Sequence, residues 1–171
     1  MGLAMATNLQ RHLSQTGSPS LTYHNRTMSR AEPLQELGAS PSPTISHLLA
    51  NADIIFLSLS DDAALASTLD SLTATDAAPH LPRKIIVDTS TVHPSSSAEA
   101  HERLAANGAK FIAAPVFGAS PVAAKGQLLW VLAGPDDAIQ AITPFLVGVM
   151  ARGVIRLGED VTKSSLLKTA G

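Results

Sequence analysis

Apolar positions recur along this chain in two alternating rhythms. Short runs rich in β-branched residues predict strands at Leu21–His24, Ile54–Leu59, Ile85–Asp88, Phe111–Ala114, Leu128–Ala133 and Val154–Leu157. The runs at 54–59 and 85–88 are continuous rather than alternating, the pattern of strands buried on both faces of a parallel sheet. Helical spacing separates them, at 3–13, Arg30–Leu37, Ile45–Asn51, Asp61–Leu72, Ser95–Asn107, Asp136–Met150 and Leu166–Gly171. Ser29 stands where it would cap the second of these helices. Asp61 and Asp62 face the positive end of the fourth, and Pro94 stands at the start of the fifth. Residues 17–20, 40–43 and 74–82 read as loops inside one unit. Strand–helix alternation of this kind implies an α/β fold with a mostly parallel sheet and right-handed crossovers.

The first rhythm begins abruptly. Met1-Gly2-Leu3-Ala4-Met5-Ala6-Thr7-Asn8-Leu9 is helical from its start, with no strand before it. In βαβ nucleotide folds a strand ends in G-x-G-x-x-G, and the third glycine lets the helix pack closely on the sheet. Gly2 suits that third position if about ten residues of strand and turn belong upstream. The expectation is therefore a nucleotide domain lacking its first strand.

Composition narrows the function classes. With 171 residues, 45% hydrophobic and 15% charged, the chain suits one domain with a core. A net charge of −2 gives no electrostatic footprint for nucleic acid or an acidic membrane. There is no cysteine, which excludes disulfides, zinc–thiolate sites and a thiol nucleophile. The six histidines show no metal-ligand spacing, so no metal site is expected. No apolar run reaches membrane-spanning length, and the N-terminus does not read as a secretory signal. The expected location is the cytoplasm. The mitochondrion is the alternative, since a leader would lie in the upstream residues the pattern asks for.

Candidate chemistry sits at the predicted strand ends, where open α/β sheets bind ligands. Asn25-Arg26-Thr27 follows the second strand, where an acidic residue reads the ribose 2′-hydroxyl of NAD and an arginine accommodates the 2′-phosphate of NADP. With Arg26 present and no carboxylate, NADP(H) is expected over NAD(H); a solvated turn is the alternative. Leu59 and Ser60 follow the next strand and are candidates for the cofactor groove, or Ser60 simply caps a helix. Asp88-Thr89-Ser90-Thr91-Val92-His93-Pro94 sets three hydroxyls before a helix start. That is either a carboxylate seat or a set of helix caps. Small residues at Ala114–Pro121, including Gly118, permit close approach to a ligand or form a plain loop. Lys168, on the last helical segment, is either a general acid in an apolar pocket or a solvated surface residue.

In their order along the chain these pieces resemble the β-hydroxyacid dehydrogenases, the group of 3-hydroxyisobutyrate dehydrogenase, glyoxylate/succinic semialdehyde reductases and 6-phosphogluconate dehydrogenase. The family fingerprint G-x-G-x-M-G-x-x-M-A-x-N-L matches from its methionine onward at residues 1–9. The N-R-T turn is Asn25-Arg26-Thr27, D-x-S-T-x-x-P is residues 88–94, A-P-V-S-G-G becomes Ala114-Pro115-Val116-Phe117-Gly118-Ala119, and the lysine of K-x-x-x-N is Lys168. The resemblance implies a Rossmann-like NAD(P)-binding domain over 1–157, with 158–171 starting the helix into a C-terminal helical domain not present here. It implies an oxidoreductase moving hydride between NADP(H) and a small 3-hydroxyacid or aldehyde acid, inactive as this chain alone. The alternative is a non-catalytic fragment or a binding protein derived from that family. Gly2, Met5, Asn25, Arg26, Thr27, Leu59, Ser60 and Thr91 would contact cofactor, Ser90 and Gly118 substrate, and Lys168 would be catalytic. Full-length relatives are expected to be homo-oligomers, with no nucleic-acid or membrane partner. Phe117 and Ala119 depart from the family motif, and the first strand and two fingerprint glycines are missing.

Overall fold

A computed structural model describes residues 1–170. Among the described residues, eight strands and eight α-helices alternate except where β6 follows β5 directly. The order is α1 (Gly2–Gln15), β1 (Thr22–Tyr23), α2 (Glu32–Glu36), β2 (Ser40–Pro41), α3 (Ile45–Asn51), β3 (Ile54–Leu57), α4 (Asp62–Leu72), β4 (Ile85–Asp88), α5 (Pro94–Ala106), β5 (Lys110–Ala113), β6 (Val116–Phe117), α6 (Ser120–Ala124), β7 (Leu128–Leu132), α7 (Asp136–Ile142), β8 (Ala151–Arg156) and α8 (Val161–Ala170). This is the expected α/β, Rossmann-like architecture, with a parallel ladder β3-β4-β5 at its centre. There Ile54, Ile85 and Lys110 stand in register and the pairing continues to Leu57, Asp88 and Ala113.

The sheet is built in three parts. β1 and β2 pair in parallel over two residues, β3 to β5 form the centre, and β6-β7-β8 form a mixed group. The centre joins the mixed group through reciprocal hydrogen bonds between Ala113 and Ala133, each 3.0 Å. Among the described residues no strand lies between β1 and β3, and a cavity of about 720 Å³ takes that place.

Helices cover both faces. Met5 and Leu9 of α1 join Val87, Ile112, Trp130 and Ile139 in one apolar cluster. Leu65 and Leu69 of α4, Ala100 and Leu104 of α5, Ile86 and Phe111 form the other. Burial on both faces is why strands 3 and 4 carry continuous rather than alternating apolar residues.

The structure corrects several expectations. The segment 136–150 is not one helix. It stops at Ile142, because Pro144 has no N–H to continue the ladder, and residues 143–145 tighten into a 3-10 turn. The released chain turns early enough for β8 to begin at Ala151 rather than 154. Ser29 caps nothing: it lies inside a 3-10 turn at Met28–Ala31, and α2 starts without a side-chain cap. Ser40–Pro41, read as loop, is strand β2, held because the Ser40 and Ser42 N–H groups donate to the Leu21 and Tyr23 carbonyls. The 114–121 segment supplies both the two-residue strand β6, antiparallel to β7, and helix α6. The last helix begins at Val161, five residues before the expected segment, and Gly171 lies outside the described residues.

Candidate functional site

The parallel strands β3, β4 and β5 end together, and the candidate side chains gather around those ends. At the start of α1, Gly2 lies against the residue that follows β3. A Cβ built on Gly2 would stand 3.0 Å from Ser58 Cβ and Oγ, so any side chain would push helix from strand. The same N-terminus has no side-chain cap, and the first chain-internal bond comes from the Met5 N–H to the Met1 carbonyl. Its first-turn N–H groups are therefore orphan donors of the kind that anions take up. Met5 is 6% exposed and packs in the core, so its contribution is to seat the helix.

Asn25, Arg26 and Thr27 form an exposed turn after β1. The Asn25 side-chain amide donates to the Thr27 carbonyl at 2.7 Å, which holds the turn closed. Arg26 makes no ion pair among the described residues. Asn25 and Arg30 line the large cavity while Arg26 and Thr27 do not, and Arg30 is a basic residue that the sequence reading did not single out there.

The hydroxyl cluster after β4 divides by role. Thr89 Oγ1 donates to the Leu57 carbonyl at 2.6 Å, and Ser90 Oγ accepts the Leu59 N–H at 2.9 Å. Both tie the end of β4 to the end of β3, and the Ser90 hydroxyl also bonds the Asp88 carboxyl. Thr91 is exposed. The helix cap is none of the three: His93 caps α5, its Nδ1 accepting the Ser95 N–H at 3.1 Å, with Pro94 opening the helix as expected. Ser60 does not cap α4 either. That role belongs to Asp61, whose carboxylate accepts the Ala64 N–H at 2.8 Å. Asp62 accepts from the His93 N–H and the Ser96 hydroxyl, and the Ser96 bond leads in holding its carboxyl below the usual range.

Asp88 ends β4 almost fully buried, its Oδ1 accepting the Ser90 N–H at 3.0 Å. Burial pushes its pKa up to about 6 against the opposing hydrogen bonds from Ser90, with a smaller upward contribution from the Asp62 charge. In the sequence Asp88 opens the hydroxyl motif of residues 88–94 without a role of its own. Its carboxyl is what holds Ser90 in place.

Lys168 is where α8 meets this assembly. Val161, Ser164 and Ser165 are the buried residues of that helix, and Lys168 continues their stripe at helical spacing. Ser164 Oγ donates to the Ala113 carbonyl at 3.0 Å, and the Ser165 and Ser97 hydroxyls bond to one another, docking α8 on β5 and α5. With the helix so fixed, Lys168 Nζ stands 4.2 Å from the centroid of the Phe117 ring. Phe117, one of the departures from the family motif, thus holds the candidate lysine. Next to it, Gly118 has φ +136°, and a Cβ there would lie 2.7 Å from Leu128 Cδ2. Only glycine fits.

The structure therefore joins Leu59 with Ser90, Gly2 with Ser58, and Phe117–Gly118 with Lys168. Ser90, Thr91, Gly118 and Lys168 do not line the large cavity, whereas Gly2, Met5 and Asn25 do. Among the described residues no group of three or more His, Asp or Glu side chains is placed to hold a metal ion. No described helix is long and apolar enough to cross a membrane.

Residues 1–158 match the family model described as the NAD binding domain of 6-phosphogluconate dehydrogenase. Among curated proteins, the chain is 31% identical to an NADH-dependent oxidoreductase (ucdB) of Aspergillus ustus, over all of this chain and 56% of that protein. It is 32% identical to glyoxylate/succinic semialdehyde reductase 2 of Arabidopsis thaliana, over 93% of this chain and 42% of that one. A solved structure of a putative oxidoreductase from Mycobacterium avium superposes with a TM-score of 0.82 at 27% identity, covering 99% of this chain and 57% of the other. The chain spans about half the length of the curated relatives it matches.

Proposed function

The chain belongs to the family of the 6-phosphogluconate dehydrogenase NAD-binding domain, and from that premise we propose that it is the NADP(H)-binding part, residues 1–157, of an oxidoreductase acting on a small hydroxyacid or aldehyde acid. The observation that carries the reading is Lys168, held on the inward face of α8 beside Phe117 and Gly118 rather than free in solvent. On this reading, residues 158–171 lead towards a further helical domain. Full-length forms of such a protein are homo-oligomeric and work in the cytoplasm or mitochondrion, with neither nucleic acid nor membrane as partner.

The residues present fit a nicotinamide dinucleotide. The uncapped start of α1 offers N–H donors to a pyrophosphate, and Asn25, Arg26 and Thr27 offer a guanidinium and a hydroxyl to a ribose phosphate. Leu59 and Ser60 would contact the nucleotide, and Thr91 would lie near the nicotinamide. Bound there, the cofactor would supply or take the hydride.

The chain's own part is to orient and to move a proton. The Ser90 hydroxyl, fixed between the Leu59 N–H and the Asp88 carboxyl, is on this reading re-aimed to donate its proton to a substrate carboxylate. Gly118, at φ +136° and packed against Leu128 and Val122, would present its backbone to the same carboxylate. As a carbonyl carbon accepts hydride, negative charge grows on its oxygen, and Lys168 Nζ gives it a proton; in the oxidative direction the same nitrogen takes the hydroxyl proton.

The test joins this chain to the segments that flank the matched region in the Arabidopsis reductase and measures glyoxylate and succinic semialdehyde reduction. Lys168→Ala is expected to lower kcat by roughly 10²–10⁴-fold with little change in cofactor affinity. Lys168→Arg should not restore the rate, because guanidinium holds its proton too tightly. A parent-like Lys168→Ala alongside an inactive His93→Ala would move the proton donor to His93.

A further inference from the structure

The contact between Phe117 and Lys168 joins two anchored elements. Phe117 pairs with Leu129 across β6 and β7, and a Cβ on Gly118, the next residue, would meet Leu128 at 2.7 Å and Val122 at 3.1 Å. Helix α8 is held as firmly, by Ser164 on Ala113 and by Ser165 on Ser97. The 4.2 Å between Lys168 Nζ and the ring centroid is therefore set by the fold rather than by two free side chains. Both residues are half-buried. A ring face attracts an ammonium, and does so more strongly where water is partly excluded.

The same ring limits what else can stand beside the lysine. Residues 115–119 carry no side-chain donor or acceptor, and the first hydroxyl beyond them, Ser120, is exposed at the start of α6. The hydroxyls of α8 near Lys168 are committed. Ser164 Oγ donates to the Ala113 carbonyl, Ser165 bonds to Ser97, and Thr169 Oγ1 donates to the Ser165 carbonyl at 2.9 Å. Within residues 164–170, Lys168 Nζ is left as the uncommitted side-chain donor.

We infer that Phe117 both positions Lys168 and sets the substrate class: the reacting carbonyl is flanked by a carbon that bears hydrogen or an alkyl group, not a hydroxyl or an amine. On the function proposed above, on which this rests, Nζ gives its proton to the carbonyl oxygen. An oxygen that takes this proton stands about 3 Å from Nζ. A substituent on the adjoining carbon, on the Phe117 side, then lies against the ring. A methyl group there exchanges water for apolar contact. A hydroxyl there loses water and gains no partner, which for groups of matched size discriminates by about tenfold to hundredfold.

Two measurements test the two roles. The first uses the 171-residue chain without cofactor or substrate, so it does not depend on the proposed function. Lysines are reductively methylated with 13C-formaldehyde, and the Lys168 signal is the one missing from Lys168→Arg. It is expected upfield of the other lysine signals, because its methyl groups sit over a ring face, and it should rejoin them in Phe117→Leu. An ordinary Lys168 shift, or one that Phe117→Leu leaves unmoved, overturns the positioning role. If the chain alone gives the spectrum of an unfolded protein, the joined protein of the preceding subsection carries the same measurement.

The second measurement compares kcat/KM of the joined protein for succinic semialdehyde bearing either a methyl or a hydroxyl on the carbon next to the aldehyde. The methyl compound is expected to lead by about tenfold to hundredfold, and Phe117→Ser should remove most of that lead. Phe117→Leu, apolar but without a ring, should keep the preference and lower kcat for both compounds. Phe117→Tyr, which keeps the ring, should recover kcat relative to Phe117→Leu. Equal rates for the two compounds in the parent overturn the substrate class, and a preference that survives Phe117→Ser overturns the part given to Phe117. Failure of the proposed function looks different: Lys168→Ala would then match the parent on both compounds while the upfield Lys168 signal of the parent persists.

Discussion

Around β4, three four-residue strands pair residue for residue, and Ile86, Val87, Phe111 and Ile112 are fully sealed from solvent. Around β1 the ladder is two residues long, and its small cluster holds four buried residues, Tyr23, Ala31, Leu34 and Ala39, each still slightly exposed. The same fold thus contains a dense half that positions Ser90 and Lys168, and a loose half, bordering the slot-shaped cavity between β1 and β3, that presents Arg26. The contrast teaches where precision is needed. On the proposed function Lys168 is a proton donor that must be held to fractions of an ångström, and serine–serine and serine–carbonyl bonds fix its helix. On the same proposal, recognition of a flexible dinucleotide phosphate would tolerate an exposed turn stiffened by one amide bond.

Paired core truncations should sharpen that contrast most. Phe111→Ala is expected to cost about 3–5 kcal/mol by urea denaturation, whereas Leu34→Ala should cost about 2 kcal/mol, because its surroundings can relax into the slot. Equal losses would mean that the two halves unfold as one evenly packed unit.

Asp88 offers a pH-dependent version of the same comparison. Its raised folded-state pKa means that the native state favours the protonated form. Its contribution is therefore fully present below the ordinary 3.8 and lost as pH rises through about 6. The charged carboxyl then costs on the order of 3 kcal/mol. Asp88→Asn keeps an acceptor for the Ser90 N–H, so its stability relative to the parent should climb across that window and level off above pH 7. A difference that stays flat from pH 4 to 8 would show an ordinary carboxyl.

The smallest effect is expected at the exposed turn. In the joined protein described above, NADPH should bind more tightly than NADH, and Arg26→Ala should remove about tenfold to hundredfold of that preference. The relative named as NADH-dependent makes this a demanding comparison. Equal affinities before mutation would leave Arg26 a solvated turn residue, with Arg30 as the next basic group to vary.

Much of this architecture was legible along the chain, because strand and helix are set by local periodicity and by residues with fixed backbone habits. Ile54-Ile55-Phe56-Leu57 and Ile85-Ile86-Val87-Asp88 announced a buried parallel pair, and Pro94 announced α5. Pro144 also carried its message, yet the apolar spacing of 136–150 hid it, since periodicity persists in sequence where hydrogen bonding cannot. Order along the chain also made the family readable, since five short motifs in sequence constrain far more than any one of them.

What tertiary structure alone decided is how chemically similar residues divide their work. Thr89, Ser90 and Thr91 are alike as hydroxyls, but only the approach of β3 commits the first two to Leu57 and Leu59. Lys168 was a lysine on a helix until Ser164 and Ser165 met Ala113 and Ser97, turning it over Phe117. The slot beside Thr22 is likewise invisible in any local window, because it is bounded by strands more than thirty residues apart. Local sequence fixes the backbone's direction residue by residue. Side-chain partnership depends on which distant segments arrive, and only the packed chain settles that.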